Sequence, residues 1–366
     1  MRRPEELGPS RTDQEAQEAL PHYYAVQSGR HRPRYRLAKL LEVDFSPEDG
    51  LSSLLGSHRA AAATFRGLPQ EERAYPTDEL ERATKARSYL DLKVALAQRM
   101  LESCSLCEWR CGVDRRRSTG FCRLSNQSRV SNFFLHHGEE RPLSGRTGSG
   151  TIFFTGCNFR CVFCQNHDIS QDASNGVPVD GKRLALMMRA LSAERCLNFN
   201  LVGGEPTPDI PVILSALSQL EEDVPVLWNS NMYLSEESMD IIKDIVDIWL
   251  PDFKYGNDGC ASKFSCVKGY FEVVSRNHLE AHRFGDMIVR VLLLPGHWDC
   301  CGRPILEWLG ENLPGALVNV MDQYHPDYLV PMKDRLSGLR RRLSTAEFEE
   351  ALAYADALHI KYRSVI

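Results

Sequence analysis

From residue 151 onward, short apolar runs alternate with segments whose apolar positions recur at helical spacing. Strands are predicted at 151–156, 196–202, 224–230, 246–252, 287–294 and 316–322, each rich in Val, Ile, Leu, Phe or Trp. Between them, Leu184, Met187, Met188 and Leu191 follow the i, i+3, i+4, i+7 rule, as do Ile213, Ala216, Leu217 and Leu220. Ser235 reads as the N-cap of a helix burying Ile241, Ile242 and Ile245. Ser344 and Glu347 form a capping-box pattern ahead of Phe348, Ala351, Leu352 and Ala355. Repeated strand–helix units predict an α/β fold with a parallel sheet and helices outside it. The number of units fits a partial (β/α)6 TIM-like barrel better than a full eight-fold one.

The pattern is weaker upstream. Residues 1 to about 75 are polar with no sustained period, so the first ~20 read as disordered and the rest as an irregular, partly helical extension. From Thr77 to Ser103 a helix is predicted, with Tyr89, Leu92, Leu96 and Met100 on one face. Arg129 to Leu135 reads as a strand, and Gly145, Gly148 and Gly150 allow a tight turn into the barrel. The chain thus divides into an extension (1–103), a cysteine block with its linker (104–150) and a barrel (151–362).

The 366 residues suffice for a barrel with additions, and 43% hydrophobic with 25% charged residues is a globular composition. A formal net charge of −5 disfavours nucleic acid and anionic membrane as partners. The basic runs Arg115-Arg116-Arg117 and Arg340-Arg341-Arg342 read as solvated faces or caps. No run approaches the ~18 apolar residues of a membrane span, and the N-terminal residues lack the apolar core of a secretory signal. Twelve cysteines without such a signal point to a reducing compartment, hence a cytoplasmic protein with metal or redox chemistry.

Seven of those cysteines are grouped. Cys157, Cys161 and Cys164 stand as Cys-x3-Cys-x2-Cys directly after the apolar run Thr151 to Thr155. Three thiolates can hold three irons of a [4Fe–4S] cluster and leave the fourth open to a substrate or cosubstrate. Upstream, Cys104, Cys107, Cys111 and Cys122 can close on Zn²⁺ or hold a second Fe–S cluster. With four ligands that site would be structural or electron-relaying. Of the remaining five, Cys196 reads as core. Cys260 and Cys266 carry no assigned role, and the vicinal pair Cys300-Cys301 reads as free thiols in a loop on the active face, with a substrate-thiol or second-cluster role open.

In a parallel barrel the loops following the strands form the active face. The second strand ends in Gly203-Gly204-Glu205-Pro206, where two glycines permit close backbone approach and Glu205 offers a carboxylate to an ammonium. The third ends in Asn229-Ser230-Asn231-Met232 and the fourth in Asp252-Phe253-Lys254, an i, i+2 pair sharing a face, readable also as a structural ion pair. The fifth carries Arg290, suited to a bidentate carboxylate, and the sixth ends in Asp322-Gln323-Tyr324-His325-Pro326. His325 reads equally as a site residue near adenine or substrate and as a satisfied surface histidine. His136-His137-Gly138-Glu139-Glu140 reads as a loop facing the substrate or cluster, with a solvated turn as the alternative.

These segments resemble the radical S-adenosylmethionine (SAM) superfamily: the three-cysteine loop with Phe163 before its last cysteine, and the Gly-Gly-Glu-Pro motif that holds the SAM amino group. The later ones are similar to the pyruvate formate-lyase-activating-enzyme-like branch, with Asn231 as a ribose contact, Met232 where a glycine is usual, and Arg290 facing the cofactor carboxylate. The resemblance implies that Cys157, Cys161 and Cys164 carry the cluster. It implies further that one electron from a flavodoxin or ferredoxin drives reductive cleavage of SAM, and that the 5′-deoxyadenosyl radical takes hydrogen from a substrate, such as a glycine Cα on a partner enzyme. The alternatives are radical modification of another protein, an RNA or a small molecule, and a non-catalytic metal-binding scaffold, which would have no need of the intact triad and Gly-Gly-Glu-Pro.

Overall fold

The computed structural model describes residues 11–68 and 87–365. Its strands are β1 (Ser128–His136), β2 (Ser149–Phe154), β3 (Val177–Val179), β4 (Phe199–Gly203), β5 (Val226–Ser230), β6 (Ile248–Pro251), β7 (Asp286–Leu292) and β8 (Leu317–Met321). They form one sheet in the order β3-β1-β2-β4-β5-β6-β7-β8. The six from β2 to β8 along that order are parallel, whereas β1 runs antiparallel to β2 and β3 antiparallel to β1. The six predicted strands are these six parallel ones, so the partial barrel stands; β3 was not predicted. Helices such as Gly181–Ala193, Ile210–Leu217 and Tyr270–Phe284 cover the outer face. The free edge of β8 is capped where Val318 N–H donates to Lys361 O at 2.9 Å.

The inward faces are layered. Leu227, Ile248, Leu250, Ile288 and Leu317 form an apolar floor. Two residues further along the same faces stand Asn229, Asp252, Arg290 and Asn319, because side chains alternate with period two. A hydrophobic floor therefore supports a polar layer below the barrel mouth.

The expected disorder of the first ~20 residues fails for the described part. Arg11–Ala19 and Pro21–Gln27 are helices, and Ala16, Leu20 and Tyr23 pack onto the apolar floor, fully or almost fully buried. Tyr23 N–H donates to Asp286 Oδ2 at 2.7 Å, and Asn198 Nδ2 donates to the Tyr23 hydroxyl at 2.8 Å. The extension is thus a plug for the end of the barrel opposite the strand C-termini. Arg34–Leu40, Leu51–Arg66 and Tyr89–Met100 continue it along the outside, where Arg66 pairs with Asp244 at 2.9 Å. The last of these helices opens on a Ser88–Asp91 capping box and buries Tyr89, Leu92, Leu96 and Met100 as its period required; the earlier part of the predicted helix, from Thr77, lies outside the described residues. Ser235 and the Ser344–Glu347 box cap their helices as read from sequence.

Candidate functional site

The three-cysteine loop leaves the C-terminal end of β2 and turns over the barrel mouth. Each sulfur has its own hydrogen-bond partner. Phe159 N–H donates to Cys157 Sγ at 3.3 Å, the Ser265 hydroxyl to Cys161 Sγ at 2.9 Å, and Ser170 Oγ lies 3.2 Å from Cys164 Sγ. Cys157 and Cys161 are buried and Cys164 half-buried. Burial pushes all three thiols up, Cys161 to about 12, and the neighbouring triad thiols add to the rise of Cys157 and Cys161. Three largely buried thiols on one loop, each with a hydrogen-bonding partner at its sulfur, are the kind of ligands a polynuclear metal centre requires. The donor set fits a three-cysteine [4Fe–4S] site.

Gly203 and Gly204 do permit a close approach, but to the protein's own backbone. Gly203 has φ +110°, and a Cβ there would fall 2.2 Å from Phe154 N; one on Gly204 would fall 2.0 Å from Gly156 O. The two glycines dock the end of β4 against the root of the cysteine loop. Pro206 opens the turn that leads into Ile210–Leu217. Glu205 is buried beside Cys157, and its Oε1 accepts from Ser230 Oγ (2.6 Å), Thr207 Oγ1 (2.5 Å) and Thr207 N–H (3.2 Å). Its Oε2 accepts from Asn231 N–H at 2.9 Å, which leaves that oxygen with capacity for one further donor. Burial raises its pKa against these donors.

The Asn231 amide is engaged within the protein, with its Oδ1 keeping capacity for one further donor. Its Nδ2 donates to Asn158 Oδ1 at 2.7 Å and lies 3.8 Å from Cys157 Sγ, while its Oδ1 accepts Tyr233 N–H at 3.0 Å. It is a prop for the cysteine loop. Met232 takes φ +59°, the backbone that a glycine would supply, and keeps its side chain buried in the core.

In the polar layer, Arg290 Nε donates to Asp252 Oδ1 at 2.9 Å, Arg290 Nη2 donates to Asn229 Oδ1, and Nη1 lies 3.9 Å from Glu139 Oε2. Lys254 donates to the other Asp252 oxygen. Against the cost of burial, Arg290 and then Lys254 hold the Asp252 carboxyl below its usual range. The ion-pair reading of Asp252 and Lys254 is therefore present, and Arg290 is engaged by side chains from three other segments. Of residues 136–140, His137 and Gly138 are exposed as a solvated turn would be, whereas Glu140 is buried and the largely covered Glu139 side chain turns inward toward Arg290. Asn200 Nδ2 donates to Glu139 Oε1 at 2.9 Å and Asn319 Nδ2 to Glu140 Oε1 at 2.8 Å. Burial opposes ionisation of both, but His136 and Arg290 hold Glu139 down, whereas Glu140 is raised. The charge of Arg290, once folded inside, had to be matched, and these carboxylates match it.

The segment after β8 closes the far rim. Phe163 meets Tyr324 edge-on with ring centroids 5.8 Å apart, Leu329 N–H donates to Val162 O at 3.0 Å, and Gln165 Nε2 donates to Gln323 O at 3.2 Å. His325 is half-exposed, with Nδ1 3.8 Å from Asp327 Oδ2, at the edge of the site.

The upstream four-cysteine block lies against the same loop. Trp109 Nε1 donates to Asn158 O at 2.7 Å, and its indole stacks on Phe121 with centroids 3.9 Å apart. Cys111 Sγ and Cys122 Sγ lie 3.1 and 3.6 Å from where a Cβ on Gly120 would stand. A thiol–thiol hydrogen bond raises Cys104 and lowers Cys111, and burial raises Cys107 and Cys122. Arg115 departs from the reading of its basic run: its guanidinium is buried beside Cys122 and Cys104 and donates to Pro208 O at 2.8 Å and Ser125 O, while Arg116 and Arg117 are exposed. One fixed positive charge thus offsets part of the negative charge four thiolates would carry.

One convergence escaped the sequence. Cys260, His297, Cys300 and Cys301 present ligand atoms that all lie within 4.8 Å of one another. The local signal was His297-x2-Cys300-Cys301; Cys260, far upstream in sequence, gave none.

Residues 151–309 match the family model described as the Radical SAM superfamily. Over 349 residues the chain is 43% identical to an uncharacterized protein of Methanocaldococcus jannaschii, an alignment covering 93% of this chain and 98% of that one. Among solved structures it is similar to Streptococcus suis SuiB bound to precursor peptide SuiA, with 11% identity and a TM-score of 0.41 over 55% of this chain and 43% of that one. SuiB bound to S-adenosylmethionine gives the same identity and TM-score, over 55% of this chain and 44% of that one. The chain spans less than half the length of these solved chains. Among the described residues no helix is long and apolar enough to cross a membrane.

Proposed function

The chain belongs to the radical SAM superfamily, and from that premise we propose that it is an activating-enzyme-like hydrogen-abstracting enzyme whose substrate is a glycine of a partner enzyme. Superfamily membership implies a [4Fe–4S] cluster and SAM. Cys157, Cys161 and Cys164 would hold the cluster, which when bound supplies the electron that cleaves the SAM sulfonium reductively and so initiates hydrogen abstraction.

The chain's own residues prepare the place. Phe159 N–H and the Ser265 hydroxyl direct hydrogen bonds at Cys157 and Cys161 and so favour their thiolate forms, and the Ser170 hydroxyl beside Cys164 is able to donate to a thiolate there. The uncommitted capacity of Glu205 Oε2, beside Cys157, suits the ammonium of SAM. Asp252, Lys254 and Arg290 are a paired set whose spare N–H donors suit its carboxylate. Phe163, Tyr324 and the segment behind them shield one side of the mouth from water. The upstream block, packed on Asn158, suits a structural zinc or a second cluster that passes electrons from a flavodoxin or ferredoxin.

The observation that carries this reading is the convergence of three donor-supported cysteines with Glu205 at the strand C-termini, where barrel enzymes keep their chemistry. The test is anaerobic incubation of the reduced, reconstituted protein with SAM and a glycyl-radical enzyme encoded in the same genome. The reading expects a protein-based radical by electron paramagnetic resonance, lost when the target glycine is replaced by alanine. SAM cleavage without such a radical would assign the hydrogen abstraction to another substrate.

A further inference from the structure

We propose that Cys260, His297, Cys300 and Cys301 form a mononuclear, tetrahedral zinc site separate from both the three-cysteine loop and the upstream block. The proposal does not depend on the SAM chemistry.

The distances are those of ligands around one ion. A Zn–S bond of about 2.3 Å sets two tetrahedral thiolates about 3.8 Å apart, and with a Zn–N bond of about 2.0 Å the sulfur–nitrogen edge is about 3.5 Å. Cys260 Sγ lies 3.8 Å from Cys300 Sγ, which lies 3.9 Å from Cys301 Sγ. His297 Nδ1 lies 3.8 Å from Cys260 Sγ and 3.1 Å from Cys300 Sγ. A cubane cluster spreads its four ligands over four irons, so a set confined within 4.8 Å suits one ion instead. Three thiolates and an imidazole favour zinc among the common divalent ions.

The surroundings are arranged for those ligands. Asn257 caps the helix Asp258–Ser265 by accepting Cys260 N–H at 2.8 Å. Its Nδ2 donates to Cys300 O at 2.7 Å and faces Cys260 Sγ at 3.5 Å and Cys301 Sγ at 3.8 Å. With one N–H committed to Cys300 O, the other faces the two sulfurs, the kind of outer support that metal-bound thiolates use. A Cβ on Gly256 would meet Cys300 O at 2.9 Å and Cys301 Cα at 3.0 Å, so the two loops touch backbone to backbone. The His297 ring is held edge-on to Phe264 with centroids 5.0 Å apart. Cys301 is buried and Cys300 exposed, so the site has a floor and an entry path. On binding, three thiols release three protons, and Zn²⁺ with three thiolates and a neutral imidazole leaves one net negative charge.

The consequence is mechanical. Cys260 is on the helix after β6, and the other three ligands are in the loop after β7. The far end of that helix touches the three-cysteine loop: Ser265 donates to Cys161 Sγ, and Phe264 O accepts Val162 N–H at 2.8 Å. A zinc clamp there would fix two loops of the active face to each other and, through Ser265, steady a cluster ligand. With four protein ligands it is closed, and so structural.

The test is metal analysis of the full-length protein, purified without oxygen and equilibrated with zinc. Wild type is compared with Cys260→Ser, His297→Ala, His297→Cys and the control Cys266→Ser, whose thiol is exposed and outside the group. Whatever the upstream block takes, Cys260→Ser and His297→Ala should each hold about one zinc fewer per chain, while His297→Cys and Cys266→Ser retain it. Cobalt(II) added to metal-free protein should give tetrahedral d–d bands that shift in His297→Cys, a variant that keeps four ligands and so does not rely on a disrupted fold. Equal zinc in wild type and Cys260→Ser, a cobalt spectrum unmoved by His297→Cys, iron in place of zinc, or a Cys260–Cys300 disulfide in the anaerobic protein would overturn the proposal.

Discussion

The Ser265 hydroxyl donates to Cys161 Sγ at 2.9 Å and is itself 2.6 Å from the Tyr255 hydroxyl, so the helix after β6 reaches back to the loop after β2. Hydrogen bonds to cluster sulfurs stabilise the reduced, more negative state. Ser265→Ala should lower the midpoint potential of the reconstituted cluster and cost about 1 kcal/mol of stability. A redox titration followed by electron paramagnetic resonance reads the first effect and chemical denaturation the second. An unchanged potential would detach Ser265 from the cluster.

Arg290 is shared by Asp252, Asn229 and Glu139. Arg290→Ala leaves buried carboxylates without their cation and should cost about 3–5 kcal/mol. Adding Glu139→Gln to that variant should recover part of the loss, because one uncompensated charge is removed. Denaturation midpoints of the two variants check this, and equal stability would mean that Glu139 does not answer to Arg290.

Asp209 is buried, and burial raises its pKa to about 7 in spite of the nearby Ser128 side chain and Arg115. A carboxyl whose folded pKa is raised binds its proton more tightly in the native state. It therefore contributes stability at acid pH that is lost as pH rises from about 4, the unfolded value, to about 7, and is flat above. Asp209→Asn should leave stability little changed at acid pH and raise it at pH above 7. Melting curves at both ends of that window check it, and a destabilised variant at alkaline pH would contradict it.

Tyr23 belongs to the plug under the barrel floor and accepts Asn198 Nδ2 at 2.8 Å. Tyr23→Ala should cost about 3–5 kcal/mol, as large aromatic truncations do, and Tyr23→Phe about 1 kcal/mol. Neither should change SAM affinity measured by calorimetry, since the plug is at the opposite end from the cysteine loop. A large drop in affinity for folded Tyr23→Phe would place the plug in communication with the site.

Much of this architecture was legible because strands buried on both faces read as continuous apolar runs. Every residue of β5 and β6 is buried, and both were predicted within a few residues. The candidate site at the strand ends could be marked out from sequence because Cys157 to Cys164 and Gly203 to Pro206 are local motifs. Roles that depend on partners far along the chain were not. Asn231 props the cysteine loop through Asn158, Glu139 enters the barrel to meet Arg290, and Arg115 leaves its basic run to stand beside Cys104 and Cys122; none of these pairings has a short-range signature. The plug was hidden for another reason: Ala16, Leu20 and Tyr23 share a helical face, but the charged residues around them dilute the period. β3 is three residues long, too short to carry an alternation.

The central claim is that Cys157, Cys161 and Cys164 carry a cluster that cleaves SAM. The most direct measurement is formation of 5′-deoxyadenosine and methionine by the anaerobically reconstituted, reduced protein, wild type against Cys161→Ala. The account predicts both products from wild type and loss of both in the variant, with about three or four irons per chain fewer in the variant by iron analysis. Wild type that forms no 5′-deoxyadenosine, or a Cys161→Ala protein that forms as much, would contradict it.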